Sequence, residues 1–486
     1  MRIPGFAPPA IPLGTTGSRF FPQLVGLSPD DARTHVHVIG TSGSGKSRFL
    51  AGLFLALLDQ GFSATLIDPH GDLARLVLGH LTARHVYTHE DAFERILYLD
   101  FPEADRQGRY LPFNVLRQSL APHTIAANVV EAMHRAWPAL ADGVAPAFDL
   151  LVLSGVKVLL SNYLPLPLLY RLLTDQGFRD SLLVHEHDRE VGAVFRDWYD
   201  RLSTRDQLAV AGATLRRVSL LTFDPVLKYS LGQRKTHLDF RDLLDRNRSL
   251  VINLALPNPD TRRLLGCLLT VAAEQGALAR AALPPAQRSG AHFLCIDEFS
   301  EFTAQSEEAL THMLSLTRKY GLFLVMAHQT WSQASTRLRG ALQNVGIEVV
   351  FRLGRADAEH TATVLGRVDP HRVKHEVADP AQAGRSHPVF YSMPEQWEGI
   401  AQAIEDLEPR EAFVKRPGRP ATRMRTLPVA DPDVDPDRLA EVEAIYLQRY
   451  FRPGTEVETE LEQSCRRTAA LGSPELTRSR SLRADR

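Results

Sequence analysis

Eight consecutive residues, Gly40, Thr41, Ser42, Gly43, Ser44, Gly45, Lys46 and Ser47, follow the spacing G-x-x-x-x-G-K-[ST]. An anion with several phosphates must be met by several backbone N–H groups at close range. Gly43 and Gly45 let the chain curl there without a Cβ in the way. A helix that begins directly after the loop aims its free N–H groups and its dipole at the same anion. In such a loop Lys46 reaches the β- and γ-phosphates, and the Ser47 hydroxyl ligates Mg²⁺. The rival interpretation is a flexible Gly/Ser turn. The strand before the loop and the amphipathic helix after it speak against that.

A loop of this kind needs a carboxylate beside it to hold the metal through water, and a second one to orient or take a proton from the attacking water. The apolar run Phe293–Ile296 ends in Asp297 and Glu298. Asp297 suits the metal and Glu298 suits the base. The run Leu322–Ala327 ends in His328 and Gln329. A polar tip on a neighbouring strand senses the γ-phosphate, and Gln329 both donates and accepts. Arg318 and Lys319 close the segment before that strand. They read either as charge complementing a helix end or as a source of an arginine finger; Arg352 and Arg355 are rivals for that role. Asp68 and His70, in Asp-Pro-His-Gly-Asp after the second strand, stand where ligands of parallel sheets sit. A tight turn capping the next helix explains the same residues equally well.

Other clusters carry less. His185-Glu186-His187-Asp188 alternates along a predicted helix and does not converge on one ion, so a solvated polar face explains it better. Arg337 and Arg339, with Trp331 nearby, form a basic helix that fits either a polynucleotide backbone or a plain surface. Cys267, Cys295 and Cys465 are far apart and lack metal spacing, which fits a reducing, cytoplasmic compartment. Formal net charge is -1, so no global basic field points to nucleic acid. Charge distribution is left open by that number.

The elements that position these residues alternate. His35–Ile39, Ser63–Asp68 and Arg95–Leu99 read as strands, and Ser47–Gln60 as a helix that stops at Gly61. Further strands are predicted at 249–256, 292–297, 322–327 and 347–353, with a helix over 261–282. The pattern predicts an α/β fold with a mostly parallel sheet and helices on both faces. Residues 126–245 read as an inserted all-α domain. The core is therefore expected in two parts, 31–125 and 246–430, after an irregular lead-in over 1–30. Residues 431–486 are expected to hold one helix near 439–450 and a disordered tail. The most lipid-like run, Leu150–Leu173, is interrupted by Lys157, Asn162, Pro165 and Pro167, so it is expected as a buried helix and no intrinsic membrane segment is predicted.

The order GTSGSGKS, LIDPHGDL, a helical region, FLCIDEFSEF, LVMAHQ and NVGIEVVFRLGRADAEHTATVLG resembles the conjugative coupling ATPases of type IV secretion, within the FtsK–HerA superfamily. It covers roughly Arg33 to Leu365. The resemblance implies a RecA-like P-loop core, ATP and Mg²⁺ as ligands, a hexameric ring and movement of DNA through it. It also implies a relaxase or secretion-channel protein as partner. By motif, Lys46 and Ser47 match the nucleotide and Mg²⁺ residues. Asp297 matches the metal carboxylate, Glu298 the catalytic base and Gln329 the sensor. Arg318, eleven residues before Gln329, matches the arginine that acts across a subunit interface. Membrane-bound members usually begin with transmembrane helices. Without them, the expectation is a cytoplasmic protein recruited to the membrane by a partner. A nucleotide-gated module that recruits a protein, without processive movement, is the alternative.

Overall fold

The structure, a computed structural model, describes residues 11–18, 20–118, 120–137, 147–284, 290–303, 313–333, 336–342, 345–378 and 386–471. Its strands, in chain order, are β1 (Ile11–Ser18), β2 (Phe21–Leu27), β3 (Val36–Ile39), β4 (Ser63–Asp68), β5 (Ile96–Asp100), β6 (Arg109–Tyr110), β7 (Ser249–Asn253), β8 (His292–Ile296), β9 (Leu322–His328), β10 (Ile347–Val350), β11 (Val373–Ala378), β12 (Ser386–Phe390), β13 (Glu411–Lys415), β14 (Thr422–Thr426) and β15 (Arg452–Pro453). The chain divides into two compact units that interleave in sequence. The first is Met1–Leu66, Gly290–Ser300 and Glu307–Asp431; the second is Ile67–Ser289, Glu301–Ser306 and Pro432–Arg486.

In the first unit the strands run in the order β2-β1-β14-β13-β10-β3-β9-β8, followed by the first residues of β4. The neighbours β10, β3, β9 and β8 are parallel, with Val38 opposite Ala327 and Val349. Their side chains are buried throughout β3, β8 and β9. Continuous apolar runs are what parallel strands covered on both faces require. The helix Lys46–Asp59 buries Phe49, Leu50, Leu53, Phe54 and Leu57. Gly61, in left-handed geometry at φ 77°, follows its end. The α/β class is as the alternation predicts.

Beyond β10 the sheet turns antiparallel through β13, β14, β1 and β2. This corrects the expectation of an irregular lead-in over 1–30 where the residues are described, because Ile11–Ser18 and Phe21–Leu27 pair as a hairpin; residues 1–10 lie outside the described residues. Pro12, Gly14, Gly17 and Pro22 dilute the alternation there. Pairing supplies what local propensity lacks: Gly14 lies opposite Thr426 of β14, and a Cβ on it would come 2.5 Å from the Arg425 carbonyl oxygen.

In the second unit β5 and β7 are parallel, with Tyr98 opposite Val251. Between β6 and β7 the described residues form helices and no strand. Within this helical stretch the chain passes from the α-helix Arg189–Ala193 through a π-helical segment Val194–Trp198 to a 3-10 turn Tyr199–Arg201. The run most able to cross a membrane by length and composition is Pro259–Ala282 rather than 150–173, and 72% of its apolar window is buried inside the protein. Its Glu274 is paired with Arg135 of the helix Pro122–Ala136 at 2.9 Å, both side chains being almost fully buried. The tail expected as disordered is helical as far as Leu471, because Val457 and Leu461 are buried and Glu458 pairs with Lys228 at 2.6 Å. Residues 472–486 lie outside the described residues.

Candidate nucleotide site

The loop Gly40–Ser47 joins the end of β3 to the helix Lys46–Asp59, and three neighbours hold it. The Gly40 N–H donates to the His328 carbonyl at 3.3 Å, at the end of β9. The Thr41 N–H and hydroxyl both donate to the Arg352 carbonyl, at 2.9 and 3.1 Å, just past β10. The Arg410 N–H donates to the Ser44 carbonyl at 2.9 Å, just before β13. Gly45 has φ 104°, and a Cβ on it would meet the Arg410 backbone nitrogen at 3.2 Å. Only glycine takes that conformation and that contact without strain. Arg410 itself is left-handed at φ 72°. No motif in the sequence marks Arg410; its role exists only once β13 is placed.

Five of the expected residues converge at the mouth of this loop. The Lys46 ammonium lies 3.6 Å from Glu298 Oε1, each side chain only 7% exposed. The Ser47 hydroxyl is 3.5 Å from Asp297 Oδ2. The Gln329 amide donates to Glu298 Oε1 at 2.8 Å. The Glu298 N–H donates to Asp297 Oδ1 at 3.1 Å. Glu298 is a non-glycine residue at φ 47°, a strained geometry that costs about 1–3 kcal/mol and is typical of functional sites. Charges this buried must be paired, so the ammonium and the carboxylate neutralise each other. The Ser44 hydroxyl, in the middle of the loop, is buried with no hydrogen-bond partner. A phosphate oxygen supplies the partner that this hydroxyl lacks. Ser47 and Asp297 offer hard oxygen donors side by side, the donor chemistry of Mg²⁺. The residues therefore fit both groups.

Behind the loop lies a buried histidine pair. His37 Nε2 and His328 Nε2 are 2.7 Å apart, and His328 Nδ1 is 2.9 Å from the Thr330 carbonyl. A carbonyl only accepts, so His328 carries its proton on Nδ1 and accepts at Nε2. His37 then donates from Nε2, and its Nδ1 faces Glu348 Oε1 at 3.7 Å. Burial, and the neighbouring His37, hold His328 well below the usual histidine range.

The other candidates lie elsewhere. Arg318 sits in the short helix Thr317–Tyr320 before β9, at the end of the strands opposite to the loop. Its charge bears on His35, whose pKa falls to about 4, chiefly through burial. Arg355 is tied to Glu359, Glu398 and Glu405 at 2.7, 2.5 and 3.2 Å. Arg352 contributes its carbonyl to the loop. In the second unit both Asp68 oxygens accept backbone N–H groups, from His70 and Ala74 at 2.9 Å each, which is the helix-capping arrangement, and His70 is exposed. Asp188 caps the helix Arg189–Ala193 and pairs with Lys157 at 3.0 Å, while Glu186 accepts from Ser161. The Arg337 side chain lies outside the described residues.

Residues 15–115 match the family described as the central domain of the helicase HerA. Among solved structures, the bacterial conjugative coupling protein TrwBΔN70 in an unbound form is similar at 18% identity and TM-score 0.55, over 83% of this chain and 86% of that one. The plasmid coupling protein TrwB in complex with ADP and Mg²⁺ is similar at 16% identity and TM-score 0.56, over 85% and 89%. VirB4 of Thermoanaerobacter pseudethanolicus is similar at 13% identity and TM-score 0.52, over 90% and 99%. No curated protein sequence matches the chain. Identities this low establish the fold, which is the one that the order of motifs implies.

Proposed function

We propose that this chain is an ATP-hydrolysing motor of the coupling-protein kind, which moves DNA and works as a ring of copies, hexameric by resemblance. The convergence of Lys46, Ser47, Asp297, Glu298 and Gln329 on one loop mouth carries the reading. The similarity in fold to a coupling protein solved with ADP and Mg²⁺ supports it.

The loop N–H groups and Lys46 would bind the phosphates, and Ser47 with Asp297 would hold Mg²⁺. The metal, when bound, neutralises charge on the β- and γ-phosphates. In the free protein Glu298 is engaged by Lys46 and Gln329. A nucleotide that draws Lys46 to its phosphates releases one of those contacts, and Glu298 then accepts a proton from water held by Gln329. The site thus keeps its base occupied until substrate arrives. In this reading Arg318 acts from a second copy, as the resemblance implies. Recruitment to the inner face of a membrane by a relaxase or channel partner belongs to the same reading.

A nucleotide-gated module that recruits a protein uses the same five residues, and the formal net charge of -1 favours it over a strongly basic DNA binder. Steady-state ATP hydrolysis with and without single-stranded and duplex DNA separates the two. Stimulation by DNA is expected, with loss of turnover in Glu298→Gln. Hydrolysis indifferent to both DNAs would remove the motor reading.

A further inference from the structure

At the strand-start end of the first unit lies a cavity of about 770 Å³, remote from the loop Gly40–Ser47. Arg318, Arg367, Lys415, Arg416 and Arg419 line it, against only two carboxylates, Asp31 and Glu348. Asp31, which takes the Ser28 N–H at 3.4 Å, and Glu348, which faces His37 at 3.7 Å, offset at most two of the five cations. Where the cations are held, neutral carbonyls hold them: Arg416 donates to Gly26 at 3.2 Å, Arg367 to Gly418 at 3.5 Å and Lys415 to Val364. A carbonyl fixes the direction of a guanidinium without cancelling its charge. The cavity thus has an excess of positive charge, already oriented, in a space of ligand size.

We infer that this cavity binds a polyphosphate chain, about as long as a triphosphate. Several guanidinium forks around one concavity match phosphate oxygens in pairs, as an ammonium does not. A single carboxylate or phosphate would leave most of the wall unsatisfied. The polyphosphate has two sources: free in solution, or carried on a nucleotide seated in a second copy of the chain. The inference needs only the cavity and survives if the proposed activity fails.

The test uses the full chain with Lys46→Ala, which removes the grip of the loop on phosphate. Inorganic tripolyphosphate, titrated calorimetrically at low salt, is expected to give one saturable site per chain. Adding Arg416→Gln and Arg419→Gln is expected to weaken it at least tenfold. Arg367→Gln, on an exposed side chain of another segment, is expected to weaken it too, and it covers the case in which the first pair disturbs folding. No binding to the Lys46→Ala chain overturns the inference, and so does binding left unchanged by all three substitutions. Sedimentation of the chain with native Lys46 plus Mg-ATP identifies the source. Loss of ATP-dependent self-association in Arg416→Gln/Arg419→Gln, with ATP still bound, points to a second copy. Self-association that persists points to a free polyphosphate.

Discussion

Glu298 is held by an ammonium, an amide and a strained backbone at once. Replacing it by Gln keeps the shape and removes the base. Turnover should fall on the order of a hundredfold or more, while nucleotide affinity holds or rises because Lys46 loses its competitor. Unchanged turnover would exclude Glu298 as the base. His35 makes a second prediction at this scale. Its Nε2 lies 2.9 Å from the Leu314 carbonyl, so Nε2 donates, and its Nδ1 accepts the Leu324 N–H at 3.0 Å. A proton on Nδ1 breaks that bond. The folded pKa, about 4, lies below the ordinary 6.5. The neutral ring is thus favoured by folding, and its contribution is complete above pH 6.5. It is lost as pH falls toward 4, by about 3 kcal/mol in all. Urea unfolding between pH 7 and pH 4 should show this slope, flattened in His35→Gln; equal slopes would refute the assignment.

Elements decide whether those residues meet. Gly45→Ala puts a Cβ into a left-handed position and against Arg410. About 1–2 kcal/mol of strain is expected, with weaker ATP binding in a fluorescence titration; wild-type affinity would show that the loop tolerates it. In the second unit the helices Pro122–Ala136 and Pro259–Leu278 share the buried pair Arg135–Glu274. Removing one partner breaks a buried, hydrogen-bonded ion pair, at a cost of about 3–5 kcal/mol. Arg135→Met should therefore lower Tm sharply, and Arg135→Met with Glu274→Leu should regain most of it. A double variant no better than the single would mean that packing, not charge, sets the loss.

For the whole molecule the question is whether one copy is enough. Arg318 stands at the opposite end of the strands from its own loop. If it serves a neighbour, Arg318→Ala and Glu298→Gln are each inactive alone. Mixed, they form interfaces that pair an intact base with an intact arginine, and part of the ATPase activity returns. A mixture as inactive as its components would show that Arg318 does not act across the interface.

The sequence by itself determined the loop, the acids and the sensor strand, because each is a local pattern. Glycines at fixed offsets, an apolar run ending in two carboxylates and a run ending in Gln329 are dictated by neighbours along the chain. The parallel α/β class followed from the same alternation. Tertiary structure alone decided the rest. Asp68 reads equally as ligand or cap until Ala74 and His70 are placed around it. Arg410 has no motif, since it reaches the loop only once β13, distant in sequence, is placed. The hairpin of β1 and β2 was hidden by its prolines and glycines, which have little strand preference of their own and are placed by pairing, Gly14 opposite β14 and Gly17 opposite Pro22. Five cations scattered from Arg318 to Arg419 become a cavity only because the antiparallel flank folds back beside β10, and long-range pairing of that kind leaves no periodic trace in the chain.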